Sequence, residues 1–153
     1  MKNYLLLLAL ATSFMISSCG KDDDDDKGPS KSALLANKNW MIIGLTETKS
    51  NGTGTIDTYS TLKNCVKDNI LRFTPDNKFS VTEGATKCDI SDPQEMINGT
   101  WALTDDGTRI TGVAKGYGAE IELVELTNSK LIVKYLTIKS GITSVNQITC
   151  SAQ

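Results

Sequence analysis

From about residue 34 onward, hydrophobic residues alternate with polar ones in short runs rich in Thr, Val, Ile and aromatic side chains. Asn, Asp, Gly and Ser interrupt these runs at nearly regular intervals. A period of two is typical of strands with one buried face, and the interrupting residues are typical of turns. The pattern predicts an all-β antiparallel meander of eight strands, with a ninth near Ile142 to Thr149 as an alternative. A short helical turn within Ser30 to Asn37 precedes it.

The predicted turns fix which residues face each other, because a slip of one residue turns every side chain to the opposite face. A turn at residues 74–78 with Asn77 in the left-handed region pairs Phe73 with Phe79 and Leu71 with Val81. Further turns predict the pairs Leu103 with Ile110, Trp101 with Gly112, Leu126 with Leu131, Val124 with Val133, and Leu136 with Val145.

A meander of eight strands has two exposed edges unless it closes on itself, and closure into an up-and-down barrel removes both. A barrel of this size either fills its interior with side chains or leaves room for one small ligand. The sequence therefore predicts a closed barrel over residues 34–153 and leaves both kinds of interior open.

The amino-terminal residues have the features of an export signal. Lys2 supplies a positive charge, and residues 5–16 form an apolar run that is too short for a spanning helix. The following Ser17-Ser18-Cys19 resembles a lipobox, which implies cleavage before Cys19 and lipidation of that residue. We expect a lipoprotein signal peptide at residues 1–18 and a membrane-anchored mature protein, because acylation at more than one position gives stable anchoring.

An acidic tract follows the cysteine. Asp22 to Asp26 repel one another and offer nothing to bury, so residues 19–33 are expected to form an extended, disordered linker. The tract also resembles the surface-export signal of some Gram-negative lipoproteins. That resemblance implies a lipid-anchored protein on the outer face of the outer membrane, and a plain solvated spacer is the alternative.

Composition narrows the chemistry that the chain can perform. It contains no histidine, the side chain most used for proton transfer near neutral pH and for binding zinc. Its net charge is −2, and no basic stripe indicates a nucleic-acid partner. We predict no metal and no cofactor.

Three cysteines remain besides Cys19, in a compartment where disulfides form. Extending the Phe73 to Phe79 hairpin outward brings Cys65 within one residue of facing Cys88, so a bulge or a loosened end would set them opposite. We predict a disulfide between these two residues, and Cys150 is left unpaired.

Four acidic residues are the candidates for catalysis, as a carboxylate pair for glycoside hydrolysis: Asp92, Glu95, Asp105 and Asp106. A simpler role is turn formation and solvation. Asp105 and Asp106 occupy a tight hairpin turn where Asp is favoured by the backbone, and Asp92-Pro93 is typical of the start of a loop. The sequence thus predicts that the protein is not an enzyme.

The order of several motifs resembles the lipocalin-like lipoproteins. A short helical segment leads into a first strand bearing Trp40, a Cys-bearing hairpin contains Phe-Thr-Pro-Asp-Asn-Lys-Phe, and Gly99 to Gly107 reads Gly-Thr-Trp-Ala-Leu-Thr-Asp-Asp-Gly. Lys38 occupies the glycine position of the lipocalin Gly-x-Trp. The resemblance covers about Leu34 to Leu136 and implies a calycin-type barrel that binds a small apolar or amphipathic ligand.

The candidate ligand-binding residues are those on the predicted inward faces. Five of them could equally be ordinary core residues: Trp40, Leu71, Phe73, Phe79 and Trp101. Tyr117 lies between two glycines, which indicates a loop or an irregular strand end at the barrel rim. The alternative function is a structural or accessory surface lipoprotein whose filled barrel contacts a protein or glycan partner.

Overall fold

The computed structural model describes residues 28–52 and 54–153, which form two short helices and nine antiparallel strands. The helices are α1 (Lys31–Leu35) and α2 (Asn64–Lys67), and a 3-10 turn occupies Tyr59–Thr61. The strands are β1 (Asn39–Lys49), β2 (Thr55–Asp57), β3 (Ile70–Phe73), β4 (Lys78–Thr82), β5 (Glu95–Leu103), β6 (Arg109–Ala114), β7 (Tyr117–Leu126), β8 (Lys130–Lys139) and β9 (Ile142–Ala152). In this part of the chain no helix has both the length and the apolar character needed to cross a bilayer. The predicted signal segment, Cys19 and the acidic tract lie outside the described residues.

Eight strands close into a barrel in the order β1-β3-β4-β5-β6-β7-β8-β9, and β9 returns to pair with β1. The closing ladder is long, from Trp40 opposite Ala152 to Lys49 opposite Ser144. The ninth strand, an alternative in the sequence prediction, is therefore the one that closes the barrel. The extra strand is β2, which pairs with residues 46–48 of β1. The predicted all-β barrel is confirmed.

The predicted register holds for all but one of the pairs. Phe73 faces Phe79, Leu71 faces Val81, and Asn77 has the left-handed backbone that this turn requires. The other confirmed pairs are Leu103 with Ile110, Trp101 with Gly112, Leu126 with Leu131, and Leu136 with Val145. The pairing of Val124 with Val133 is wrong, because β7 carries a bulge at this point and Leu123 takes the position opposite Val133.

Helix α1 closes one end of the barrel, as the predicted helical turn suggested. The Ser30 hydroxyl oxygen caps it by accepting from the Ala33 amide, and Leu35 is fully buried. The indole Nε1 of the fully buried Trp40 donates to the Leu35 carbonyl oxygen at 2.9 Å, so the helix is fixed to the first strand. Lys31 adds a bond from Nζ to the Gly107 carbonyl oxygen at 2.8 Å on the far side of the barrel.

The predicted disulfide is present, with Cys65 and Cys88 Cα atoms 5.1 Å apart. Its setting differs from the extended hairpin that was expected. Cys65 lies in α2 and Cys88 in the loop after β4, because the regular β3–β4 ladder begins only at Ile70. The bond therefore joins a helix to a loop at the end of the barrel opposite α1.

Candidate functional site

The inward faces of β5, β6 and β7 carry unusually small residues, and a cavity lies above them. This cavity, here called cavity A, has a volume of about 180 Å³. Gly112, Ala114 and Ala119 supply almost no side-chain volume at positions where other strands carry Leu, Ile or Phe. The complete lining is Leu71, Phe73, Phe79, Trp101, Ile110, Thr111, Gly112, Ala114, Tyr117, Ala119 and Ile121. The lining is almost entirely apolar, and Thr111 and Tyr117 are its two hydroxyl-bearing residues.

The aromatic side of cavity A is a packed cluster. Phe73 meets Trp101 edge-on with ring centroids 5.3 Å apart and Phe79 at a tilt with centroids 6.3 Å apart. The Phe79 ring lies against the backbone of β5, where a Cβ on Gly99 would fall 2.7 Å from Phe79 Cε1 and 2.1 Å from the Val113 carbonyl oxygen. Glycine at position 99 is thus required for the close approach of ring and strand.

The exposed end of the cavity A lining lies on the part of β7 that does not pair with β8. The β7–β8 ladder runs from Glu122 to Leu126, so the first residues of β7 are paired with β6 on one side and are open on the other. Tyr117 stands at this opening with 81% of its surface exposed, directly after the turn at Lys115 and Gly116, both in the left-handed region. This exposed position agrees with the predicted rim location of Tyr117; its role in binding stays a prediction.

A second cavity, cavity B, occupies the other half of the barrel and has a volume of about 210 Å³. It is lined by Ile42, Asn69, Leu71, Phe73, Val81, Ile110, Ile121, Leu131, Val133, Ile148 and Cys150. Cys150 is a free and almost fully buried thiol, and burial raises its pKa to about 12. The thiol is therefore neutral at physiological pH and behaves as a small apolar group.

Asn69 is the polar side chain in the lining of cavity B, and its amide group is already engaged by the protein. In the amide orientation that satisfies its neighbours, Nδ2 donates to Glu83 Oε2 at 3.2 Å and to the Cys65 carbonyl oxygen at 3.1 Å. Glu83 is itself 4% exposed, and its backbone carbonyl accepts from Gln94 Nε2. No Asp, Glu, Lys or Arg side chain lines either cavity, so the described interior offers no counter-ion to a charged ligand.

Five of the six predicted ligand-contact residues line cavity A: Leu71, Phe73, Phe79, Trp101 and Tyr117. Trp40 lies in the core beside α1 and lines neither cavity, because its ring fills the closed end of the barrel. The sequence reasoning missed the glycine and alanine positions that create the space. The sequence signal for this space lies on the inward face of β6, where large residues give way to small ones toward the open end. The residues in order are Ile110, Gly112 and Ala114.

The acidic candidate Asp106 has a structural role. Its carboxylate accepts from Thr104 Oγ1, from the Thr108 amide and from Thr108 Oγ1, and these bonds lower the pKa of Asp106 to about 2. Because this carboxylate accepts hydrogen bonds from both sides of the β5–β6 turn, it orders the turn. This agrees with the turn-forming role that the sequence predicted for Asp106.

Comparison with known proteins gives one family match. A family model described as a lipocalin-like domain matches residues 37–133. The chain is also similar to the solved structure of bovine odorant-binding protein in complex with a selenium-containing odorant, at 10% identity and a TM-score of 0.45, covering 83% of this chain and 75% of that one. A deswapped triple mutant of bovine odorant-binding protein matches at 10% identity and a TM-score of 0.41, covering 80% and 74%. No curated protein matches the sequence.

Proposed function

The chain belongs to the lipocalin-like domain family, and we propose that its barrel binds a small apolar or amphipathic molecule in the interior. The lipocalin fold is typically a binding fold rather than a catalytic one. The observation that supports binding is cavity A, an apolar space that five predicted contact residues line and that opens beside Tyr117. A filled interior would have favoured the accessory role.

The size of the cavities agrees with a small occupant. An engineered apolar cavity of about 150 Å³ stays dry and binds benzene. Cavities of about 180 and 210 Å³ each exceed that volume, so each has room for a ring or a short branched chain. Excluding water from such a surface contributes about 25 cal/mol for each Å² of apolar area that the ligand buries.

Filling cavity A tests this proposal. Ala114→Leu places a larger side chain into the lining, and Val113→Ala alters the neighbouring residue, half exposed on the outer face. We expect Ala114→Leu to weaken the binding of benzyl alcohol at least about tenfold in a calorimetric titration, and Val113→Ala to leave it unchanged. Equal affinities of wild type and Ala114→Leu, or no binding by wild type at all, would remove the proposal.

We further propose that the protein is a lipid-anchored component of the bacterial outer membrane, displayed on its outer face. The support is the sequence alone: the apolar run at residues 5–16, Ser17-Ser18-Cys19, and the acidic tract that follows. Cys19→Ala should abolish acylation and release the protein from the membrane fraction. Deletion of residues 22–26 should reduce its sensitivity to protease added to intact cells, and undiminished sensitivity would leave the acidic tract a simple spacer.

A further inference from the structure

The interior of the barrel is divided in two by a wall of four side chains. Leu71, Phe73, Ile110 and Ile121 line both cavity A and cavity B, so they stand between them. Leu71 and Phe73 come from β3, whereas Ile110 and Ile121 are direct cross-strand partners on β6 and β7. In the order of eight strands, β3 and the β6–β7 pair lie on opposite sides of the barrel. The wall therefore takes its side chains from two opposite sides of the interior.

We infer that this wall favours compact, uncharged ligands that fit one cavity, and that a longer chain gains no further affinity from the carbons that the cavity cannot hold. The inference rests on the proposed binding function and assigns its ligand class. Cavity A is bounded by β4 and β5 on its far side, and cavity B by β8, β9 and β1. A chain long enough to need both volumes has to displace Phe73, which is 4% exposed and packed on Trp101, or the isoleucine pair facing it.

The absence of charged residues from the lining of both cavities is the reason for expecting an uncharged ligand. An ionised carboxylate that enters an apolar cavity loses its hydration and needs a partner in compensation. The Asn69 amide in cavity B donates to Glu83 and to a backbone carbonyl, so its donors are not free for an anion. The Glu83 carboxyl group behind Asn69 accepts from that amide and so occupies a donor that an anion would need. A neutral ligand meets neither cost.

A series of straight-chain primary alcohols measures the length limit. Each methylene that enters the cavity should raise affinity about fourfold, and the increase should stop when the cavity is full, at about eight carbons. Calorimetric titration of the purified, unacylated Cys19→Ala protein in detergent-free buffer, with alcohols of four to sixteen carbons, locates this limit. Affinity that continues to rise through sixteen carbons would overturn the inference while supporting the binding function.

Substitutions in the wall show whether its side chains set the chain length at which affinity stops rising. Ile121→Ala removes most of one wall side chain and should move the limit to twelve carbons or more, and the milder Ile121→Val should move it in the same direction if the alanine variant does not fold. Leu71→Ala tests the opposite side. Val113→Ala is the matched control, because this residue lies on β6, the strand of the wall residue Ile110, but is 50% exposed on the outer face. A limit that stays in place in the folded wall variants would refute the assignment.

Octanol and octanoate at pH 8 test the charge requirement, since the two differ only in the head group and octanoate is ionised. We expect octanol to bind at least about a hundredfold more tightly than octanoate. Equal affinity would overturn the neutral-ligand assignment. Failure of every alcohol to bind would instead remove the proposed function itself, so the two failures are distinguishable.

Discussion

The disulfide between Cys65 and Cys88 should supply a large share of the stability of the barrel. It joins residues 23 positions apart, and replacing both by serine frees this loop in the unfolded chain. In the chain-entropy model a loop of this length contributes about 3.4 kcal/mol at 25 °C. Domains of this size commonly have stabilities of about 5–15 kcal/mol, so the loss should be plainly measurable.

Urea unfolding followed by the fluorescence of Trp40 and Trp101 provides the assay. With a urea slope of about 1–3 kcal/mol/M, the midpoint of Cys65→Ser/Cys88→Ser should fall by about 1–3 M. Its slope should rise, because an unfolded chain without the cross-link exposes more surface. Reductant should lower the wild-type midpoint to that of the double variant and leave the double variant unchanged. A double variant within about 0.3 M of the oxidised wild type would refute the reasoning.

Three other predictions follow from local contacts. Gly99→Ala should lower the free energy of unfolding in urea by about 1–3 kcal/mol, because the added Cβ meets the Val113 carbonyl oxygen. Gly112→Ala is the control, since its Cβ would lie no closer than 3.6 Å to its neighbours. It should change the free energy of unfolding by less than about 1 kcal/mol. Trp40→Phe leaves the buried Leu35 carbonyl without its donor and should cost about 1–3 kcal/mol in thermal unfolding. The lowered pKa of Asp106, about 2, stabilises the fold above the usual carboxyl pKa of 3.8, and this stabilisation is lost as the pH falls through about 2. The stability gap between wild type and Asp106→Asn should therefore shrink between pH 4 and pH 2.

Turn chemistry explains why so much of the barrel could be predicted from the sequence. Asn77 and Ser140-Gly141 occupy positions where the backbone is left-handed, and each hairpin they form has the predicted register. The disulfide followed from the same hairpin, although Cys65 lies in a helical turn. That turn could not be foreseen, because the short segment at residues 64–67 has no helical periodicity that distinguishes it from a strand.

The cavities were harder to predict than the fold. Alternation shows which side chains point inward, and it placed Leu71, Phe73, Phe79 and Trp101 there. Empty space depends instead on the volumes of residues that meet across the barrel, and these come from strands far apart in sequence. The wall between the cavities is an example, since Leu71 and Ile121 are far apart in sequence and line the same two cavities only after the barrel has closed.

The bulge at Val124 explains both the one wrongly predicted register pair and the apolar lining of cavity A. Counting back from the β7–β8 turn without a bulge puts Val124 inside, and with it Glu122 and Glu120. The bulge reverses this phase, so Ile121 and Ala119 face the cavity and Glu120 pairs with Arg109 on the outside at 2.7 Å. Both alternations are visible in the sequence of β7: Ile121 and Leu123 are apolar at odd-numbered positions, and Leu126 is apolar at an even-numbered one. Two phases on one strand are the signature of an inserted residue, and here that residue keeps two carboxylates out of the proposed binding site.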